Sequence, residues 1–361
     1  MKNGLGVRRR LALDMFSSIE DKRIAAHELR TIMWEATLRC NLACRHCGSD
    51  CRSEAAVPDM PAADFLRTID TITPHVVPNR VLIVITGGEA LMRRDIEEVG
   101  RALYDRGYPW GIVTNGMLLD ERRLESLLRA GLHTATVSLD GFAETHNRIR
   151  RNERSYERAL GALRLLARQP DILGSFWQPK LVIVDPSTLA TLPRFRDFLI
   201  AEGVKRWRIF TIFPVGRGAD DPSLQLDTEQ FRRLMEFIRD TRREGRIAVN
   251  YGCEGFLGRY EGDVRDTFYH CSAGVSIAGI RVDGAISGCP RLRATFTETI
   301  SWTYGTTVSH HTATANGCGT VRAGIAAYSN IAAATGCICA TKRDNCSCAI
   351  TRNCYDLWNI K

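Results

Sequence analysis

Nowhere in its 361 residues does the chain approach the roughly 18–20 consecutive apolar residues that a membrane-spanning helix needs, so a membrane is not expected among its partners. A secretory signal is not expected either. The opening MKNGLGVRRRLALDMF is basic, but Asp14 breaks its apolar stretch. A large excess of either charge sign is missing: 49 Lys+Arg stand against 41 Asp+Glu, and the net +8 is spread along the chain. So diffuse an excess disfavours nucleic acid as the main partner. Disorder is no better supported, because 44% hydrophobic and 25% charged residues suffice for a sizeable core. A cytoplasmic globular chain is expected, long enough for a barrel with an appendage.

Cysteine is what the chain does have: 13 residues, an odd number. Cys40, Cys44 and Cys47 are spaced C-x3-C-x2-C, with Cys51 just behind, and six more crowd the last 67 residues. In a reducing compartment such thiols read as metal ligands rather than disulfides. Three thiolates on one loop fit an iron–sulfur cube with one open iron, whereas a closed zinc site would recruit a fourth ligand such as Cys51.

From about residue 31 to 250, apolar runs alternate with amphipathic segments. Strands are expected at 32–38, 81–86, 110–114, 134–139, 181–184 and 207–213. Helices are expected at 62–72, 94–106, 121–130, 189–201 and 228–243, with a basic helical stretch to 168. This alternation predicts an α/β fold with a parallel sheet, either an open doubly wound sheet or a partial (β/α)6 TIM barrel. The first four strands end in the cysteines, in Gly87-Gly88-Glu89, in Asn115-Gly116 and in Asp140-Gly141. One shared mouth at the carboxyl ends of the strands explains that coincidence.

The cysteine spacing, with aromatic His46 before Cys47, resembles the signature of the radical S-adenosylmethionine (SAM) superfamily over roughly residues 31–250. The resemblance favours the partial barrel and implies that Cys40, Cys44 and Cys47 hold a 4Fe–4S cluster. Gly87, Gly88 and Glu89 would receive the amino group of SAM, with Glu89 offering its carboxylate to the ammonium. Asn115, Ser138 and Asp140 resemble positions that contact the ribose and methionyl carboxylate, and Arg217 is a candidate for a carboxylate of SAM or substrate. Glu254 is a weaker substrate-site candidate. The implied reaction is reductive cleavage of SAM to a 5′-deoxyadenosyl radical that abstracts hydrogen from a substrate, with flavodoxin or ferredoxin as electron donor.

Cys271, twelve residues, Gly284, four residues and Cys289-Pro290 resemble the opening of a SPASM auxiliary-cluster domain, found on maturases of peptides and proteins. Segments such as RGYPWGIVTNGM and WRIFTIFPVGR are similar to a SPASM subgroup associated with lipoproteins. A peptide or protein substrate is therefore implied. The alternatives are a nucleotide or RNA substrate, or a non-catalytic or decayed iron–sulfur or zinc protein.

The expected division is an N-terminal extension (1–30), the radical SAM core (31–250), the start of a SPASM-like region (251–294) and a tail (295–361). The C-x2-C-x5-C-x3-C run that should complete the auxiliary cluster is missing. Residues 295–361 hold 12 Thr and 10 Ala but a single Leu, Leu357, and three acids. The abrupt change suggests out-of-frame translation of the tail, which would orphan Cys271 and Cys289. A genuine metal-binding Cys-rich tail is the rival.

Overall fold

The computed structural model describes residues 7–169, 185–252 and 255–288. A helix α1 (Val7–Ala26) precedes strand β1 (Thr31–Thr37). There follow α2 (Ala62–Ile72), β2 (Leu82–Gly87), α3 (Ile96–Asp105), β3 (Trp110–Thr114), α4 (Glu121–Arg129) and β4 (Leu132–Val137). Helices α5 (Ala143–Arg150), α6 (Ser155–Ala167), α7 (Pro186–Leu189) and α8 (Leu192–Ala201) lead to β5 (Arg206–Ile209). The described part ends with α9 (Thr228–Glu244), β6 (Ala248–Tyr251), β7 (Ile277–Ile280) and β8 (Ile286–Ser287).

Six strands form a sheet in the order β4-β3-β2-β1-β7-β8, parallel throughout except for the β7–β8 hairpin. β5 and β6 pair in parallel as a second, two-stranded sheet. The fold is α/β with parallel strands, the class expected of a partial barrel. The two sheets are not hydrogen-bonded to each other among the described residues.

Alternation along the strands explains the layering. In β1, Ile32, Trp34 and Ala36 are fully buried, whereas Met33 and Glu35 between them are partly exposed. Ile83 and Ile85 of β2 repeat the pattern. The buried face meets the helices: Trp34 stacks on Phe65 of α2 with ring centroids 3.8 Å apart, and the Arg93 guanidinium lies 4.9 Å above the Trp34 ring. Gly100 of α3 leaves room for Trp110, whose Cζ2 would lie 2.2 Å from any Cβ placed there. The partly exposed inner face carries Glu35, Thr86 and Thr136.

Several boundaries depart from expectation. The basic stretch is two helices rather than one, because Arg151 adopts left-handed geometry (φ 55°) and ends α5. The strand expected at 134–139 starts two residues earlier, since the left-handed Gly131 (φ 87°) turns the chain straight into β4. The strand expected at 181–184 lies outside the described residues. α1 falls in the expected extension, and β7 places part of the 251–294 segment beside β1 in the main sheet.

Candidate functional site

The cysteine loop leaves the carboxyl end of β1 and is closed by its own flanks. Cys40 N–H donates to the Arg52 carbonyl at 2.6 Å, and Arg39 bridges to Arg52. Cys40, Cys44 and Cys51 are buried in one cluster, with Cys47 packed against it.

The Gly-Gly-Glu segment is zipped along the start of this loop. Gly88 N–H donates to the Thr37 carbonyl at 2.7 Å, and Glu89 N–H to the Arg39 carbonyl at 2.9 Å. A Cβ on Gly87 would lie 2.2 Å from the Thr37 carbonyl oxygen, and one on Gly88 equally close to that of Arg39. The glycines therefore allow backbone to meet backbone.

The Glu89 carboxylate, expected to face an ammonium, is wholly buried and accepts from protein donors. Oε1 accepts from Leu91 N–H (3.2 Å) and Thr114 Oγ1 (2.7 Å), and Oε2 accepts from Asn115 N–H (2.7 Å). Burial raises its pKa even so. Glu89 thereby fixes the end of β3. The Asn115 side chain turns to the loop, donating from Nδ2 to Asn41 Oδ1 at 2.8 Å and approaching Cys40 Sγ at 3.8 Å.

Asp140, expected at the ribose or carboxylate, is fully buried and held by both Nε and Nη2 of Arg150. Its backbone N–H donates to His146 Nδ1 at 3.0 Å. Burial opposes the Arg150 charge, but the Asp140 carboxylate overrides it and keeps the guanidinium cationic. The third Arg150 nitrogen, Nη1, reaches Cys44 Sγ at 3.9 Å. Ser138 is buried at the end of the same strand, its N–H donated to the Thr114 carbonyl.

Arg217, expected at a carboxylate of SAM or substrate, is bonded to the cysteine loop. Its Nε donates to the Cys44 carbonyl at 2.7 Å, its terminal nitrogens to the Cys51 carbonyl at 3.1 Å, and Nη1 pairs with Asp50. The neighbouring Gly216, with φ 54°, lets this turn touch the loop: a Cβ would lie 2.7 Å from the Cys47 carbonyl oxygen.

The three thiols are electrostatically unequal. Burial pushes Cys40 up to about 12 and raises Cys44, whereas Cys47 is lowered to about 5, chiefly by a hydrogen bond from the Cys51 thiol. His46 Nδ1 is buried without a hydrogen-bond partner among the described residues. Soft thiolates beside buried cationic and amide donors suit a cluster with one thiolate per iron corner. Among the described residues no three His, Cys, Asp or Glu side chains group tightly enough to hold a single metal ion.

Cys271 is exposed, its carbonyl 3.4 Å from Arg23 Nη2 of α1. Cys289, Glu254 and the tail 295–361 lie outside the described residues. Arg150, which the sequence did not single out, proves central to the loop, and Cys51, noted there only as a possible fourth zinc ligand, lies buried within it.

Residues 34–170 match the family model described as the radical SAM superfamily. The chain carries a radical SAM domain. The radical SAM family binds a 4Fe–4S cluster and SAM. An AdoMet-dependent heme synthase of Oleidesulfovibrio alaskensis is 28% identical over 70% of this chain and 62% of its own length. A PqqA peptide cyclase of Granulibacter bethesdensis is 27% identical over 61% of this chain and 58% of its own. The chain thus spans less than two thirds of the length of these curated relatives. Streptococcus suis SuiB bound to S-adenosylmethionine has the same fold, with a TM-score of 0.57 at 18% identity, over 80% of this chain and 67% of that one. No helix among the described residues is long and apolar enough to cross a membrane.

Proposed function

We propose that this protein is a radical SAM enzyme acting on a peptide or protein, with Cys40, Cys44 and Cys47 as ligands of a 4Fe–4S cluster. The observation that carries this is the closed loop presenting three thiols at the carboxyl end of β1, beside the ends of β2, β3 and β4. When bound, the cluster and SAM would supply a 5′-deoxyadenosyl radical able to take hydrogen from a substrate.

The chain's own residues then divide the work. Gly87 and Gly88 keep the β2 end close to the loop, and Glu89 holds Asn115 in place. Arg217 fixes the loop backbone at the Cys44 and Cys51 carbonyls. Ser138 and the inner-face Glu35, Thr86 and Thr136 would be the polar groups to meet SAM or substrate. The electron would come from a flavodoxin- or ferredoxin-type donor.

The peptide substrate is supported by the PqqA peptide cyclase relative and by the likeness to SuiB, a structure of which holds its precursor peptide SuiA. A tetrapyrrole substrate is the second reading, favoured by the heme synthase relative, which aligns over more of this chain. Cys271 and Cys289 would belong to an auxiliary site that an in-frame terminus completes. Retranslation of the last 70 codons in the other frames should then show C-x2-C-x5-C-x3-C.

Anaerobic reconstitution tests the enzyme. Iron and sulfide should bind, and reduction with SAM should release 5′-deoxyadenosine. Replacing Cys40, Cys44 and Cys47 together with Ala should abolish both. Zinc without iron, or a loaded protein that leaves SAM intact, would overturn the proposal. Incubation with candidate peptides and tetrapyrroles, read by mass change, separates the two substrate classes.

A further inference from the structure

Each thiol of the cysteine loop has its own neighbouring donor from outside the triad. Asn115 Nδ2 stands 3.8 Å from Cys40 Sγ, Arg150 Nη1 stands 3.9 Å from Cys44 Sγ, and the buried Cys51 belongs to the cluster against which Cys47 packs. The match is one donor to one sulfur, from three different parts of the chain.

Each donor is also fixed by further bonds. Asn115 Oδ1 accepts from Met117 N–H at 2.9 Å and its second Nδ2 proton goes to Asn41, so the amide cannot turn away. Arg150 spends Nε and Nη2 on Asp140, which leaves Nη1 directed at Cys44. Cys51 is only 3% exposed; its carbonyl is gripped by Arg217, and the next carbonyl by Cys40 N–H. Its single proton is donated to the Ser49 carbonyl at 3.8 Å, and Cys47 packs against the same cluster. A metal-bound thiolate carries negative charge and is the stronger acceptor.

We propose that Asn115, Arg150 and Cys51 are positioning residues for the cluster, one on each ligand sulfur, and that together they set its reduction potential. The inference rests on the cluster assignment made above. Reduction adds one negative charge to the cluster, and hydrogen bonds to its sulfurs stabilise the more negative state. A donor on each thiolate therefore raises the potential toward that of the electron donor. Cys51 is in this view not a fourth ligand.

The test compares the full-length wild type with Cys51→Ala, Cys51→Ser and Asn115→Ala, all reconstituted anaerobically with iron and sulfide. Iron and sulfide content is measured first, then the midpoint potential, by redox titration followed through the EPR signal of the reduced cluster without SAM. All variants should hold wild-type iron and sulfide. Cys51→Ala and Asn115→Ala should shift the potential to more negative values, and Cys51→Ser, which keeps a donor, should restore much of it. An unchanged potential in loaded Cys51→Ala would overturn the proposal. So would loss of iron in Cys51→Ala, which would make Cys51 a ligand. A shift that Ser fails to restore also counts against it, because packing rather than donation would then be responsible. Failure of the cluster assignment itself looks different: the wild type would take up no iron and sulfide.

Discussion

The guanidinium of Arg217 donates through Nε to the carbonyl oxygen of Cys44 at 2.7 Å, although 173 residues separate them. Because its other nitrogens meet the Cys51 carbonyl and Asp50, this side chain closes the cysteine loop from outside. Hydrogen bonds from a charged donor are worth roughly 1.5–3 kcal/mol each at most, and partial exposure lowers that. Arg217→Ala should leave the barrel folded while lowering iron uptake on reconstitution several-fold. Arg217→Lys, which cannot span both carbonyls, should recover only part. A fully loaded Arg217→Ala protein with weakened SAM affinity by calorimetry would show instead that the residue serves a ligand carboxylate.

The glycines predict a contrast. A Cβ at Gly88 would meet the Arg39 carbonyl at 2.2 Å, and one at Gly87 would meet that of Thr37 while also straining a φ of 134°. Gly161 in α6 has nothing within 4 Å of the corresponding position. Gly88→Ala should therefore part β2 from the cysteine loop and abolish cluster binding. Gly161→Ala should stabilise the protein by up to about 1 kcal/mol, the ordinary helix gain over glycine. Denaturant melts of the two variants, with iron analysis of each, check both directions.

The unequal thiols predict selective alkylation in metal-free protein. Cys47 is lowered to about 5 and partly exposed, whereas Cys40 is buried and pushed up to about 12. The thiolate is the reactive form, so a lowered value means that Cys47 is charged and reactive at neutral pH. Iodoacetamide at pH 7 should label Cys47 ahead of Cys40 and Cys44, and the rate should fall as pH drops through about 5. Peptide mapping after timed quenching reads this out. Equal labelling of all three would contradict the loop geometry.

What the sequence made legible was local. Cys40, Cys44 and Cys47 lie within eight residues, and the polar ends of β2, β3 and β4 each follow a recognisable apolar run. Direction was not legible. Glu89, Asp140 and Arg217 could be placed near the mouth, but whether a carboxylate faces a ligand or a neighbouring strand depends on contacts distant in sequence. Arg150 lies 106 residues from Cys44 and carries no motif of its own. β7 is only four residues in a region without periodicity, and its place beside β1 comes from pairing rather than pattern. α1 was missed because Leu11, Met15 and Ile19 look like a broken apolar run, whereas a spacing of four is helical; these side chains remain exposed.

Glu89 offers the sharpest test of direction. Its carboxylate accepts from Leu91 N–H, Thr114 Oγ1 and Asn115 N–H, with no exposure to solvent. In Glu89→Gln one of the two terminal positions becomes an NH2 group. Placed at Oε2 it opposes Asn115 N–H, and placed at Oε1 it opposes Leu91 N–H. Either orientation sets donor against donor in a buried site, at a cost of about 1–3 kcal/mol. The metal-free Gln variant should therefore be destabilised in denaturant melts with no SAM present, and Glu89→Ala more so, because it also leaves a cavity. A carboxylate that served only an ammonium would give the reverse: unchanged stability of the free protein and a loss confined to SAM affinity. Comparing the melts with SAM titrations of the same variants therefore separates a residue that builds the end of β3 from one that binds the cofactor directly.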